Sequence, residues 1–179
     1  MEYPRIRVMT YGNGPVSESE LEAVSELERF AGCQDFITWI NIDGIDNREV
    51  LVELGRIFSI GYPVLADVMN PHRRSGIQEY DGVLSMAMKM LRLDEETGNI
   101  QGEQLSVIML GSCVITFQEV PGDVFAPVRE RIRKERRIVS EKPDFLVLSL
   151  IDVVVDTYLY LLSILGDRIE IIEDSLVDN

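Results

Sequence analysis

Two aspartates, Asp152 and Asp156, lie one helical turn apart and could bind a ligand together. At positions i and i+4 of a helix their carboxylates project from one face and repel each other. A divalent cation would relieve that repulsion, because carboxylate oxygens are ligands that Mg²⁺ and other hard cations prefer. A plain solvated acidic face is the alternative, and the spacing leaves both interpretations open.

The motifs of common enzymes are missing from the sequence. It has no P-loop, G-x-S-x-G, H-E-x-x-H or G-x-G-x-x-G segment, and its single histidine, His72, lies in a polar stretch. Cys33 and Cys113 lie far apart and form no C-x-x-C motif, so we expect two reduced, buried thiols. We therefore predict that the protein is not an enzyme. A metal-dependent hydrolase, the alternative, would need a pocket of clustered carboxylates.

The charge balance favours cations as ligands and disfavours nucleic acid. The chain carries 31 acidic and 17 basic residues, a formal net charge of −14. General nucleic-acid binding needs a basic face that displaces counterions from phosphates. Apolar residues make up 46% of the 179 residues, enough for a core, and the amino terminus has no apolar signal segment. We expect a folded protein in the cytoplasm.

The first third of the sequence shows strand and helix patterns in alternation. Residues 5–11 alternate in polarity and predict a half-buried strand, and the β-branched and aromatic residues 36–42 predict another. Ser17 with Glu20 three residues later has the pattern of a capping box, so we expect a helix from Ser17 to Phe30.

The middle of the chain continues this alternation. Asn47 can cap a second helix, and residues 63–70 predict a further helical turn. Apolar residues 82–93 predict a strand, and 104–119 predict a hairpin of two strands with its turn near Gly111. The order β-α-β-α-β-β-β indicates an α/β fold whose sheet has mixed strand directions.

Two helices follow the sheet. Residues 124–137 predict a basic amphipathic helix, and Pro143 opens a long helix that runs to the end of the chain. From Asp152 onwards that helix has seven acidic residues and one basic residue. We divide the chain into an α/β domain, 1–140, and the start of the long helix, 141–179.

The apolar run from Phe145 to Leu165 resembles a membrane span in length. Asp152 and Asp156 lie near its centre, where each would cost a few kcal/mol in a bilayer, so we interpret the run as part of a soluble helix. One set of its apolar side chains is expected to enter the core: Leu148, Ile151, Val155, Leu159 and Leu162.

Four stretches, in this order, resemble the CorA magnesium and cobalt transporter family. They read WINIDG at 39–44, VLADVMNPHRR at 64–74, FQE…GDVF-x-PVRERIR at 117–133, and SLID…VD at 149–156. They are similar to the family's W-I-N-I-x-G strand, its L-E-D-x-x-N-x-H-Q-R-P segment, its FQE…GDVF-x-PVRERIR segment and the start of its stalk helix. PVRERIR following GDVF makes the set specific.

The resemblance implies an α/β/α sandwich with a mixed-direction central sheet, followed by a basic helix and a long acidic stalk helix. It implies the cytoplasmic regulatory domain of a divalent-cation channel, a homopentamer at the inner face of the cell membrane. Mg²⁺, Co²⁺ or another divalent cation, bound between subunits, would stabilise the closed state. By position, Asp67 and Asp152 match ligands of those ions.

Three departures qualify the resemblance. Ala66 replaces the glutamate before the matched aspartate, which predicts a weaker or absent second ion site. Arg73 and Arg74 stand where the family has Gln-Arg, and Ser75 where it has proline. The chain ends at Asn179, and we expect the membrane helices and the Gly-Met-Asn filter to lie beyond it. A stand-alone soluble interaction module with the same fold is the alternative function.

Overall fold

The computed structural model describes residues 4–44, 48–94, 96–134 and 142–177. The strands are β1 Arg5–Gly12, β2 Ser17–Leu21, β3 Phe36–Asp43, β4 Gly76–Tyr80, β5 Val83–Leu93, β6 Ile100–Leu110 and β7 Cys113–Gln118. They form one sheet in the order β2-β1-β3-β7-β6-β5-β4. β3 and β7 are parallel, and the other neighbouring pairs are antiparallel. The predicted mixed sheet is confirmed.

Helices cover both faces of the sheet. They are a 3-10 helix Val24–Phe30, α1 Arg48–Phe58, α2 Tyr62–Val68, α3 Ala126–Lys134 and α4 Pro143–Val177. The 3-10 helix, α1 and α2 share a core with one face of the strands, through residues such as Leu27, Leu54 and Val64. The other face packs on α3 and α4 through residues such as Ile132 and Leu150. The α/β/α sandwich and the long helix after it are therefore confirmed.

The predicted helix from Ser17 to Phe30 is wrong in its first half. Ser17–Leu21 form β2, which pairs antiparallel with β1 at the edge of the sheet, so the expected capping box of Ser17 and Glu20 does not form. The chain turns after Gly12 and folds back along β1. Five residues are too few to make a stable helix alone. Their hydrogen bonds to the longer strand β1 outweigh their weak local preference for a helix.

The remaining differences concern the ends of elements. Pro63 lies in the first turn of α2, where its missing N–H costs nothing, and the chain then adds the unpredicted edge strand β4. Asn47, the predicted cap of α1, lies outside the described residues, as do residues 135–137 of the basic helix. The hairpin of β6 and β7 turns at Gly111, as predicted, although β6 begins at Ile100.

Candidate functional site

Asp67 lies near the carboxyl end of α2, on the face of the sheet opposite α3 and α4. Val64, Leu65 and Val68 are buried beneath this short helix and fix it over the strands. The Asp67 carboxylate is consequently held close to the sheet, with its side chain 25% exposed. A carboxylate in this position can interact both with the strands and with solvent.

Two side chains already engage the carboxylate of Asp67. Its Oδ2 lies 3.2 Å from Nη1 of Arg73 and accepts a hydrogen bond of 2.9 Å from the hydroxyl of Tyr80. The bond to the carboxylate raises the pKa of Tyr80, because ionisation would lose the donated proton and place two negative charges together. Asp67 is therefore part of a charged cluster within its own chain.

The segment after α2 is fastened to strands β5 and β6. Gln104 Nε2 donates to the carbonyl of Asn70 at 2.8 Å, and Lys89 Nζ donates to the carbonyl of Pro71 at 3.1 Å. Asn70 Oδ1 accepts the backbone N–H of His72 at 3.1 Å and closes the turn. His72 itself is exposed, as its place in a polar stretch of the sequence indicates.

A polar cleft of about 360 Å³ opens beside Asp67. Its ionisable lining consists of one carboxylate, two arginines and the histidine, namely Asp67, Arg73, Arg74 and His72. One negative charge faces two permanent positive charges, since arginine stays protonated at any ordinary pH. Within a single chain the cleft is therefore positively charged, although the protein as a whole is acidic.

Asp152 and Asp156 lie on the opposite side of the sandwich from Asp67. On α4 they are exposed, one turn apart, while Leu146, Leu150 and Val154 form the buried side of the same helix. Because α2 and α4 pack on different faces of the sheet, one chain does not bring Asp67 and Asp152 together. Among the described residues no three His, Cys, Asp or Glu side chains cluster closely enough to hold a metal ion.

The predicted core face of the long helix is wrong except at Ile151, which is half-buried against the core. Leu148, Val155, Leu159 and Leu162 are exposed, and Leu159 keeps 59% of its surface in solvent. The helix instead buries the side that carries Leu146 and Leu150, because the apolar run surrounds the helix and its periodicity cannot select a face. The exposed side of α4 therefore combines apolar side chains with the acidic pair.

The distal half of α4 touches the sheet again at its edge. The Tyr158 hydroxyl donates to the carbonyl of Lys89 on β5, and Arg168 Nη1 donates to the carbonyl of Gly98 at 2.8 Å. Gly98 lies in the turn that joins β5 to β6 and has φ +68°, a conformation that favours glycine. These contacts tie the helix to the hairpin well beyond its buried first turns.

A buried ionic network, which the sequence analysis missed, joins the sheet to α3. Asp123 Oδ1 accepts a bond of 2.7 Å from Arg129 Nη1, and Arg7 Nη2 lies 3.0 Å from Asp123 Oδ2 and 3.4 Å from Asp43 Oδ2. Asn41 donates to Asp43 at 2.6 Å. The sequence signal for Asp123 was its place shortly before a helix, where its Oδ1 accepts the backbone N–H of Phe125 at 2.9 Å. Nothing local in the sequence indicated that Arg7 would reach it.

The two aspartates of this network differ in their electrostatics. Burial raises the pKa of Asp43 and outweighs the charge of Arg7 and the bond from Asn41, while the charge of Asp123 raises it further. Burial also acts to raise the pKa of Asp123, but the hydrogen bond and charge of Arg129, with lesser contributions, outweigh it and the pKa is lowered. Asp123 therefore stabilises the network as an anion more effectively than Asp43.

The basic helix pairs with acidic residues of its own chain. Arg133 Nε lies 2.6 Å from Glu18 on β2, and both Arg133 and Lys134 pair with Glu130. The guanidinium of Arg129 stacks 4.9 Å from the ring centroid of Trp39. Arg129 and Arg133 thus dock α3 on the sheet, whereas the pair of Lys134 and Glu130 lies within the helix.

By length and composition α4 could cross a membrane, and it is the single such helix in the described residues. Its first turns, as far as Val154, pack against the sheet, which is how the core helix of a folded domain behaves. Length and apolar character alone do not distinguish the two cases.

The two predicted ligands fit a divalent cation unequally. Asp152 is exposed and has a second carboxylate one turn away, which suits Mg²⁺, an ion that keeps much of its water shell and binds through one or two carboxylates. Asp67 offers one carboxylate whose Oδ2 already has two partners, and Ala66 supplies no second one.

The architecture is similar to that of several solved structures. The soluble domain of CorA from Methanocaldococcus jannaschii matches 96% of this chain and 65% of its own, with a TM-score of 0.67 at 16% identity. The full-length CmaX protein matches 97% of this chain and 52% of its own, with a TM-score of 0.75 at 15% identity. The ZntB cytoplasmic domain from Vibrio parahaemolyticus matches 94% of this chain and 63% of its own, with a TM-score of 0.64 at 9% identity. The chain therefore has the same fold as the soluble domain of CorA.

The sequence makes the assignment specific. The model of the CorA-like Mg²⁺ transporter protein family matches residues 34–179, and the chain belongs to that family. The cobalt/magnesium transport protein CorA of Thermotoga maritima is 40% identical over 142 residues, which are 79% of this chain and 40% of that protein. The resemblance found in the sequence is confirmed, and the chain spans about 40% of the length of this curated relative.

Proposed function

We propose that this chain is the cytoplasmic, ion-sensing domain of a CorA-like transporter of Mg²⁺, Co²⁺ or related divalent cations. The family assignment supports the transporter class. The observation that carries the sensing role is the exposed pair Asp152 and Asp156 on a helix whose neighbouring apolar side chains are also exposed. Such a surface is suited to a contact in which a cation and an apolar patch are covered together.

The proposed ligands are Asp67, at a site in the contact between neighbouring chains, and Asp152, at a second site on α4. They lie on opposite faces of the sandwich, so they belong to two separate sites. A homopentamer in the full-length protein would repeat that contact around a ring. Ions that bind the closed ring better than the open one stabilise it by mass action, and falling Mg²⁺ would release it.

Transport itself requires more than this domain. We propose that conduction belongs to membrane segments outside these residues, and that the domain lies at the cytoplasmic face of the membrane and controls them through α4. Because α4 contacts the sheet and the hairpin of β5 and β6, a displacement of the domain would also move this helix. No catalytic step is part of this function.

Native mass spectrometry of the chain, with and without millimolar Mg²⁺, tests the sensing role. Mg²⁺ is expected to shift the distribution toward oligomers, and Asp152→Asn is expected to reduce that shift. Asp167→Asn, which removes an exposed charge from the same helix, is the matched control and should behave like the parent chain. The proposal would be refuted if Mg²⁺ did not change the oligomer distribution, or if Asp152→Asn and Asp167→Asn reduced the shift equally.

A stand-alone interaction module is the second candidate. The exposed apolar side chains of α4 favour it, since they would serve a different protein partner as well as a second copy. Oligomers that form equally well with Mg²⁺ and with a chelator, and that Asp152→Asn leaves unchanged, would support this function over ion sensing.

A further inference from the structure

We propose that Arg73 is a built-in cation that occupies the Asp67 carboxylate and so lowers the affinity of Asp67 for a divalent ion. This inference rests on the proposed function, in which Asp67 is an ion ligand. In this proposal Arg73 sets the concentration of free Mg²⁺ at which the Asp67 site becomes occupied. Asp152, which has no such partner in the described part of the chain, would then respond at lower Mg²⁺ concentrations.

The guanidinium of Arg73 is locked in place. Its side chain is only 8% exposed, and Nη1 lies 3.2 Å from Asp67 Oδ2 while it donates to Ser85 Oγ at 2.9 Å. Nη2 donates to Gln78 Oε1 at 3.3 Å. Movement of the guanidinium away from Asp67 would leave Ser85 and Gln78 without these bonds. Arg73 is thus a preorganised partner of the carboxylate rather than a mobile surface charge.

The second partner of the carboxylate strengthens this arrangement. Tyr80 donates to the same oxygen, Oδ2, and its hydroxyl also contacts Gln78. Arg73, Tyr80 and Gln78 therefore form one connected group around Asp67. A divalent ion that took Oδ2 would have to displace both an arginine and a phenol, so an ion is left with Oδ1 as its point of entry.

The charge of the surroundings opposes that entry. Besides Asp67, the cleft is lined by Arg73 and Arg74, two positive charges against one negative. Position 66 is alanine, so no adjacent carboxylate offsets the arginines. Like charges within a few ångströms repel strongly in partly buried surroundings, and Mg²⁺ gives up its water reluctantly. The carboxylate is neutralised from within its own chain.

Arg73→Gln tests the inference in the full chain. The variant removes the charge but keeps a planar group able to donate to Ser85 or Asp67. Titration calorimetry with Mg²⁺ should show binding tighter than in the parent chain by about tenfold, the size expected when one nearby like charge is removed. Arg74→Gln is the matched control, since it removes an exposed arginine of the same cleft that forms no ion pair within the described residues. Arg73→Gln combined with Asp67→Asn should lose the gain.

The outcomes separate the inference from the function on which it rests. Unchanged affinity in Arg73→Gln, or an equal gain in Arg74→Gln, overturns the role of Arg73. If Asp152 of the parent chain does not respond to Mg²⁺ at all, the proposed ion-sensing function is overturned instead. A measurement on the parent covers the case in which the variant does not fold: carboxylate ¹³C resonances followed during the Mg²⁺ titration. Asp152 should respond before Asp67, and a response at the same concentration contradicts the inference.

Discussion

Arg168, far along the long helix α4, donates from Nη1 to the carbonyl of Gly98 at 2.8 Å, in the turn between β5 and β6. A methyl group on Gly98 would lie 3.0 Å from Nη2 of Arg168, so the turn and the guanidinium are closely fitted. The contact matters because most side chains around Arg168 are exposed, and little else holds this stretch of α4 to the sheet.

Arg168→Ala is expected to loosen the distal part of α4 without unfolding the domain. Hydrogen–deuterium exchange should speed up around Gly98 and on α4 beyond Tyr158, while the buried strands keep their protection, because local opening does not require the core to unfold. Asp167→Asn, an exposed change on the same turn, is the control. Exchange that is identical in Arg168→Ala and the parent chain would show that the contact contributes nothing.

Asp123→Asn should destabilise the domain by about 3 kcal/mol, because it leaves the partly buried guanidinium of Arg129 without its carboxylate and that of Arg7 with Asp43 alone. The Asp123 side chain is 2% exposed, so water cannot take its place. Urea unfolding measures the loss. Glu20→Gln, which breaks the exposed pair with Arg5, should hardly move the midpoint. Equal midpoints for the two variants would contradict the structural role of the network.

The two aspartates of the network should give opposite dependence on pH. The folded pKa of Asp123 is lowered, so its contribution is present above the unfolded value of about 3.9 and is lost as pH falls through the folded pKa. The folded pKa of Asp43 is raised, so its contribution is present below the unfolded pKa and is lost as pH rises through the folded one.

Urea unfolding at a series of pH values checks these signs. The difference between the parent chain and Asp123→Asn should shrink as the solution becomes more acidic, whereas the difference between the parent and Asp43→Asn should grow. Comparison with each variant cancels the titration of the other carboxylates. Differences that follow the same trend for both positions would be incompatible with the assigned electrostatics.

Leu159→Glu should leave the single chain as stable as the parent, because Leu159 is mostly exposed, but should weaken self-association in Mg²⁺. Leu161→Ala, two residues away on the buried side, is the contrasting variant and should cost about 2–4 kcal/mol. Thermal unfolding at low protein concentration measures the first property and sedimentation velocity the second. If Leu159→Glu lost as much stability as Leu161→Ala, the assignment of the buried side of α4 would be wrong.

Much of the fold was predictable from local patterns. The β-branched run at Phe36–Asp43, the hairpin turn at Gly111 and the start of α4 at Pro143 each follow from propensities that act within a few residues. The four motifs added the family and the sandwich architecture. Asp67 and Asp152 as ion ligands remain predictions, although their positions on α2 and α4 were anticipated correctly.

The class of fold, the family and the acidic character of α4 could therefore be read from the sequence. The buried side of α4 could not, since a helix that is apolar all round has no preferred face until it packs on the sheet. The tertiary structure alone made Ser17–Leu21 a strand, through pairing with β1, and placed Arg73 on Asp67. Arg7 likewise meets Asp43 and Asp123 from distant positions. Such pairings depend on the folded path of the chain, because a charge finds its partner by distance in space and not by distance along the sequence.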